Sequence, residues 1–252
     1  MGYTIAICGK GGTGKTTIAS LIIDWLVKNK KGKVLAVDAD PNSNLAMNLG
    51  FKAKANIGEM LDEVSKNPSL IPQGMSKPEY IDYRIQSEMV EADNFDILVM
   101  GRPEGPGCYC YVNNLLRDLV KRLVNYYDYI VIDNEAGLEH LSRRTTRAAD
   151  LVLIVSDDTV VGLRSAKRIY DLVKELDIKA KKSFLLLNRS PKDTLNKKEQ
   201  QDLGIEYLDS IPQDKEILDL SIKGEPLTGL KNGSLALKSI ERICKKLWQQ
   251  NS

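Results

Sequence analysis

Cysteine and histidine are both scarce in this chain of 252 residues, which has four of the first and one of the second. Four cysteines scattered from Cys8 to Cys244 do not form the dense framework of a disulfide-stapled domain, so their expected roles are core packing or metal binding. With one histidine, a site of several imidazoles from one chain is excluded, and His140 reads as a surface or capping residue rather than a ligand. Long apolar runs are missing too; none approaches the ~20 residues that a bilayer-spanning helix needs. Residues 1–12 have neither the basic nor the apolar region of a signal peptide, and Ala6 stands where an N-myristoylation motif beginning at Gly2 requires Ser or Thr. There is no excess of charge of either sign: the net charge of +2 gives no reason to expect a nucleic-acid groove. The expectation is a cytoplasmic protein with no nucleic-acid partner and no membrane attachment.

What is present is an ordinary globular composition, 42% hydrophobic and 28% charged, enough to build one domain over residues 1–252. Apolar runs bounded by turn signals at 3–8, 33–37, 95–100, 129–132, 151–155 and 183–187 read as buried parallel strands, with 206–211 as a further candidate. Segments of helical spacing at 16–28, 112–125, 162–176 and 235–248 alternate with them. That alternation predicts an α/β fold, a mostly parallel central sheet with helices on both faces. Residues 65–80, with their Pro, Ser, Lys and Gly, read as an exposed connection. Ligands of such sheets bind beyond the carboxyl ends of the strands, so the loops there are where chemistry is sought.

The first of these loops is Gly9-Lys10-Gly11-Gly12-Thr13-Gly14-Lys15-Thr16, which fits G-x-x-x-x-G-K-[ST] between a predicted strand and an amphipathic helix. Glycines let the backbone curl until successive N–H groups face a β-phosphate, and the helix N-terminus adds partial positive charge. Gly11, Gly12, Thr13, Gly14, Lys15, Thr16 and Thr17 are the expected nucleotide contacts, with Lys15 bridging β- and γ-oxygens and the Thr16 hydroxyl on Mg²⁺. The expected cofactors are ATP or ADP with Mg²⁺. Lys10 is extra to the ordinary motif. The next strand delivers Asp38-Ala39-Asp40-Pro41, two carboxylates that can both face phosphates or serve as a helix cap and a turn. Asp133 ends the run Tyr129-Ile130-Val131-Ile132, where a carboxylate can hold Mg²⁺ directly or through water. Glu135-Ala136-Gly137 follows as a candidate switch.

A Gly- and Pro-rich loop, Gly101-Arg102-Pro103-Glu104-Gly105-Pro106-Gly107, presents Cys108-Tyr109-Cys110 immediately before a predicted helix. A helix N-terminus lowers a thiol pKa and favours the metal-binding thiolate. One chain supplies only two sulfurs, an incomplete four-coordinate site, and two chains about a two-fold axis would supply four. Soft thiolates suit Zn²⁺, an iron–sulfur cluster or nickel, and four sulfurs do not choose among them.

Taken together, these strings resemble the deviant Walker A class of P-loop ATPases, which includes MinD and the nitrogenase iron protein, over nearly the whole chain. Cys-Tyr-Cys before a helix and Glu-Ala-Gly-Leu-Glu-His-Leu at 135–141 resemble the CooC-type ATPases that insert nickel into carbon monoxide dehydrogenase or acetyl-CoA synthase. The resemblance implies a homodimer that closes around nucleotide, with Lys10 reaching the partner's phosphates and Lys10, Lys15 and Asp40 catalytic. It implies that Asp40 orients the attacking water and that Asp38 supports the Mg²⁺ shell or a switch contact. Asn188 would read adenine, helped by Pro212 in the loop Pro212-Gln213-Asp214. Cys108 and Cys110 of both chains would hold nickel or zinc, with one of the two enzymes as client. The loop before Cys108 is also similar to the iron protein's first cluster loop, but residues 134–141 lack that protein's second cluster cysteine. An electron donor with an iron–sulfur cluster and a MinD- or ParA-like positioning ATPase stand as the other readings. For the latter the amphipathic last helix is a possible membrane contact, although packing on the sheet is the expectation.

Overall fold

The structure, a computed structural model, describes residues 2–52, 56–101, 118–119, 121–135, 148–175, 179–191 and 195–249. Its centre is an eight-stranded sheet in the order β3-β4-β2-β5-β1-β6-β7-β8. The strands are β1 Tyr3–Gly9, β2 Val34–Ala39, β3 Val90–Glu91, β4 Phe95–Val99, β5 Tyr129–Asn134, β6 Ala148–Ser156, β7 Lys179–Asn188 and β8 Glu206–Ile211. Every pairing is parallel except β3 with β4. Chain order reverses beside β1, with β5 on one flank and β6 on the other, so the loop after Gly9 leaves the sheet at the topological switch point. The α/β architecture read from the sequence is the one observed.

The two-residue period of β1 shows why both faces are covered. Ile5 and Ile7 join the cluster of Ile18 and Ile22 on helix α1 (Lys15–Lys28) and of Ile240, Ile243 and Leu247 on helix α8 (Leu235–Gln249). Ala6 and Cys8 point the other way, toward Ile169 and Val173 on α5 (Val160–Glu175). Further along that second face, Leu35, Val37, Ile130 and Ile132 pack on Met60 of α3 (Ile57–Lys66) and Ile81 of α4 (Lys77–Glu88). The apolar stripe of α8 is therefore spent on the core, as expected, and no helix among the described residues is long and apolar enough to cross a membrane.

The connection expected at 65–80 is shorter than its composition suggested. Helix α3 runs to Lys66, a 3-10 turn covers Pro68–Leu70, and α4 begins at Lys77 with Tyr80 buried. Polar residues misled the reading because they are start signals. Ser76 and Glu79 form a reciprocal capping box with Pro in the first turn, and the Asn56 side chain caps α3 by accepting from the Glu59 N–H. The helix expected at 112–125 lies mostly outside the described residues.

Two satellite clusters complete the packing. At the far end of α1 from the Gly-rich loop, Trp25 and Trp248 approach with ring centroids 5.3 Å apart, Tyr3 and Tyr129 flank Trp248, and its indole N–H donates to the Tyr129 hydroxyl at 3.0 Å. At the β8 edge, buried Asp209 accepts two hydrogen bonds from Arg242 (2.9 Å each) and one from Lys246 (2.6 Å). Burial raises the Asp209 pKa, but these bonds and the Ser210 N–H outweigh it and hold the carboxyl at about 2. A depressed carboxyl pKa stabilises the fold above its ordinary value and loses that contribution as pH falls through about 2. Both cations are roughly half exposed, so Asp209→Ala strands no buried charge and is expected to cost about 1–2 kcal/mol. Urea unfolding at pH 7 should show this deficit, and at pH 2 it should shrink toward zero.

Candidate functional site

The Gly-rich loop joins β1 to α1, and Gly14 is the residue that makes the junction. It sits at φ 90°, and a Cβ there would lie 2.3 Å from the Asn188 side-chain nitrogen. Among the described residues no side chain caps α1, so its first N–H groups and the positive end of its dipole face the loop. Lys15 is buried at the start of this helix. Its ammonium donates to the Lys10 carbonyl at 3.4 Å, and the Thr13 hydroxyl donates to the same oxygen at 2.9 Å. The Lys10 side chain is exposed to solvent.

Register brings the acidic residues together. Asp38 on β2 pairs directly with Asp133 on β5, and Ile7 of β1 pairs with Asp133 from the other side. Asp38 is fully buried, accepting from the Leu45 N–H at 2.9 Å and the Asp40 N–H at 3.2 Å, so it ties together both ends of the loop after β2. Asp40 lies within that loop, half-buried, accepting from the backbone and side-chain nitrogens of Asn42 at 2.9 Å each. Neither buried oxygen of Asp133 has a hydrogen-bond partner among the described residues. Burial pushes Asp38 up to about 7, with the Asp133 charge beside it adding to the shift. Burial likewise pushes Asp133 up to about 6, the Thr16 hydroxyl and Lys15 drawing it down and Asp40 raising it. An unpartnered buried carboxylate beside a threonine hydroxyl is a hard oxygen donor set suited to Mg²⁺. The next residue, Asn134, is buried and donates to the Ile7 carbonyl at 3.1 Å, fixing β5 to β1 just below the loop.

A cavity of about 210 Å³ opens beside the helix start, lined by Gly14, Thr17, Asn188, Pro212, Gln213 and Ile217 among others. Asn188, at the end of β7, donates to the Thr13 carbonyl at 2.8 Å and accepts from the Arg189 N–H at 3.0 Å. Among the described residues these bonds leave one amide hydrogen and one carbonyl lone pair of Asn188 for a ligand. Asp214 is a fold-builder instead, accepting from the Glu216 N–H at the start of α7 (Lys215–Lys223) and from Ser234 and Ala236 at the start of α8.

Over most of its length the chain is similar to known proteins. The AAA domain family (AAA_31) matches residues 2–186. The chain belongs to this AAA domain family. An uncharacterized ATP-binding protein of Methanocaldococcus jannaschii is 42% identical over 247 residues, spanning 96% of this chain and 97% of that protein. The carbon monoxide dehydrogenase accessory protein CooC of Rhodospirillum rubrum is 32% identical, with 84% of each chain covered. Among solved structures, the septum site-determining protein MinD of Pyrococcus horikoshii in complex with Mg-ADP superposes with a TM-score of 0.74. It is 22% identical and covers 100% of this chain and 98% of its own, a likeness of fold.

In this AAA-domain chain, the expected residues from Lys10 to Thr17 and Asp38, Asp40, Asp133, Asn188 and Pro212 all gather at the carboxyl end of the sheet. Cys108, Cys110, His140 and residues 136 and 137 of the candidate switch lie outside the described residues. Cys8 and Cys244 are buried core residues, the Cys8 thiol pushed up to about 12 by burial. Sequence reading missed Arg189, which lines the cavity. Its signal is slight, a basic residue directly after a strand-ending Asn.

The raised carboxyls make the metal-free fold pH-sensitive. Groups with raised acid pKa values contribute stability that is complete below the ordinary value near 4 and lost as pH rises through about 6 and 7. Asp133→Asn removes one of these charges. In chelator, unfolding measured at pH 5 and pH 8 should show a loss of stability that is smaller in Asp133→Asn by on the order of 2 kcal/mol.

Proposed function

We propose that this protein is an ATP-hydrolysing, homodimeric maturation factor that delivers nickel to carbon monoxide dehydrogenase or acetyl-CoA synthase. The observation that carries the hydrolytic half is Asp133, buried beside Thr16 and Lys15 with neither oxygen in a well-formed hydrogen bond among the described residues. Mg²⁺ held by Thr16 and, through water, by Asp133 would neutralise charge on the β- and γ-phosphates. Lys15 would leave the Lys10 carbonyl for the phosphate oxygens. Asp40, on the loop that Asp38 braces, would orient a water for in-line attack on the γ-phosphorus, the bond to the ADP oxygen breaking as the new one forms. Asn188 and Pro212 would receive adenine in the cavity that they line. Lys10, solvent-exposed at the mouth of the loop, supports pairing with a second chain across the nucleotide. Loss of the γ-phosphate would then release the Asp38-braced loop and change how the two chains sit together.

The delivery half rests on Cys108-Tyr109-Cys110 and on the similarity to CooC over most of both chains. Nickel, or zinc in its place, is cargo on four thiolates contributed by two chains. Residues 134–141 contain no cysteine, which disfavours a cluster bridged by ligands from two loops of each chain.

Asp40→Asn is expected to lower the ATP turnover rate by about 10²-fold or more while leaving ADP affinity within about threefold. Normal hydrolysis by this variant would remove Asp40 from the mechanism. Anaerobic titration with nickel and zinc, read as stoichiometry and mass, should give one metal per dimer for the wild type and none for Cys108→Ala/Cys110→Ala. A brown, thiol-dependent chromophore after iron–sulfur reconstitution, with no nickel bound, would instead favour the electron donor.

A further inference from the structure

Two consecutive residues at the end of β7 grip two consecutive carbonyls of the phosphate loop from outside. Arg189 donates from its guanidinium to the Gly12 carbonyl at 2.6 Å, and Asn188 donates from its amide to the Thr13 carbonyl at 2.8 Å. In a trans peptide the C=O and the following N–H point in opposite directions. Holding the Gly12 and Thr13 carbonyls outward therefore turns the Thr13 and Gly14 N–H groups inward. The inside of the loop is marked by its donors: the Thr13 N–H and hydroxyl and the Lys15 ammonium all converge on one oxygen, the Lys10 carbonyl, at 3.4, 2.9 and 3.4 Å. A single oxygen amid so many donors lies where a phosphate oxygen would be received.

Arg189 is itself held for this task. It sits in the left-handed region at φ 56°, unusual for a side chain of its size, and its N–H donates back to the Asn188 side-chain oxygen at 3.0 Å. The next residue, Ser190, is buried; its N–H donates to the Ile211 carbonyl at 3.1 Å and its hydroxyl to Asp158 at 3.1 Å, tying the turn to the ends of β8 and β6. Three neighbouring residues thus lock one turn to three parts of the sheet's carboxyl end.

We propose that Arg189 is a positioning residue for the phosphate loop, clamping the Gly12 peptide so that loop N–H groups face the phosphates. The inference rests on the nucleotide-site reading above and adds a residue that acts through the loop. Because Arg189 also lines the cavity beside Gly14, the clamp joins the two halves of the site, nucleoside on one side and phosphates on the other.

The test separates those halves by comparing ADP with inorganic tripolyphosphate, which has no nucleoside, in calorimetric titrations of wild type, Arg189→Ala and Arg189→Lys. Arg189 is solvent-exposed, so both variants should fold. The expected result is that Arg189→Ala weakens both ligands about tenfold, that the loss persists in about 1 M salt, where the screening length is about 3 Å, and that Arg189→Lys restores part of it. If ADP weakens while tripolyphosphate does not, Arg189 touches only the nucleoside and the inference is overturned. A loss that vanishes in high salt would overturn it too, leaving only a long-range charge. Failure of the wild type to bind either ligand would sink the nucleotide-site reading itself, and this inference with it.

Discussion

Parallel pairing of β1 between β5 and β6 is the constraint on which the site depends. Parallel strands all release their chains at the same edge, so loops distant in sequence are forced into one row. Register then sets the depth of each group: Ile7 lies opposite Asp133, and Asp133 opposite Asp38. A slip of one residue in β5 would turn Asp133 to the other face of the sheet and leave the start of α1 without its buried carboxylate.

The same register imposes a cost. Two carboxylates are held out of water side by side, one of them with no well-formed hydrogen bond among the described residues, and both are pushed toward the neutral form. A fold selected only for stability would replace them with apolar or amide side chains. Their arrangement makes sense for a site whose charge is completed from outside the chain, and it explains why Asp38, which has found backbone donors, can serve the loop while Asp133 is left open.

The sheet was legible in the sequence because its strands are short apolar runs between turn signals, as in Tyr129-Ile130-Val131-Ile132 before Asp133. The phosphate loop was legible because few sequences other than a strand-to-helix glycine turn place Lys15 and Thr16 at that spacing. What escaped has a common physical origin. Ser76 and Glu79 are polar whether they cap a helix or populate a loop, and only their reciprocal bonds distinguish the two. Strand β3 is two residues of edge pairing, too short to carry a period. Arg189 escaped because its contact joins residues 177 positions apart, a relation that only the assembled sheet creates.

The aromatic cluster has a consequence for how this molecule can be watched. Both of the chain's tryptophans lie in it. Trp25 is ten residues along α1 from Lys15, roughly 15 Å from the helix start. Ultraviolet emission from the indoles therefore originates at the opposite end of the rod from the phosphate loop, where Trp248 of the last helix meets Tyr3 of the first strand. The intrinsic optical signal follows whether β1 and α8 remain joined, and is nearly blind to what the loop holds.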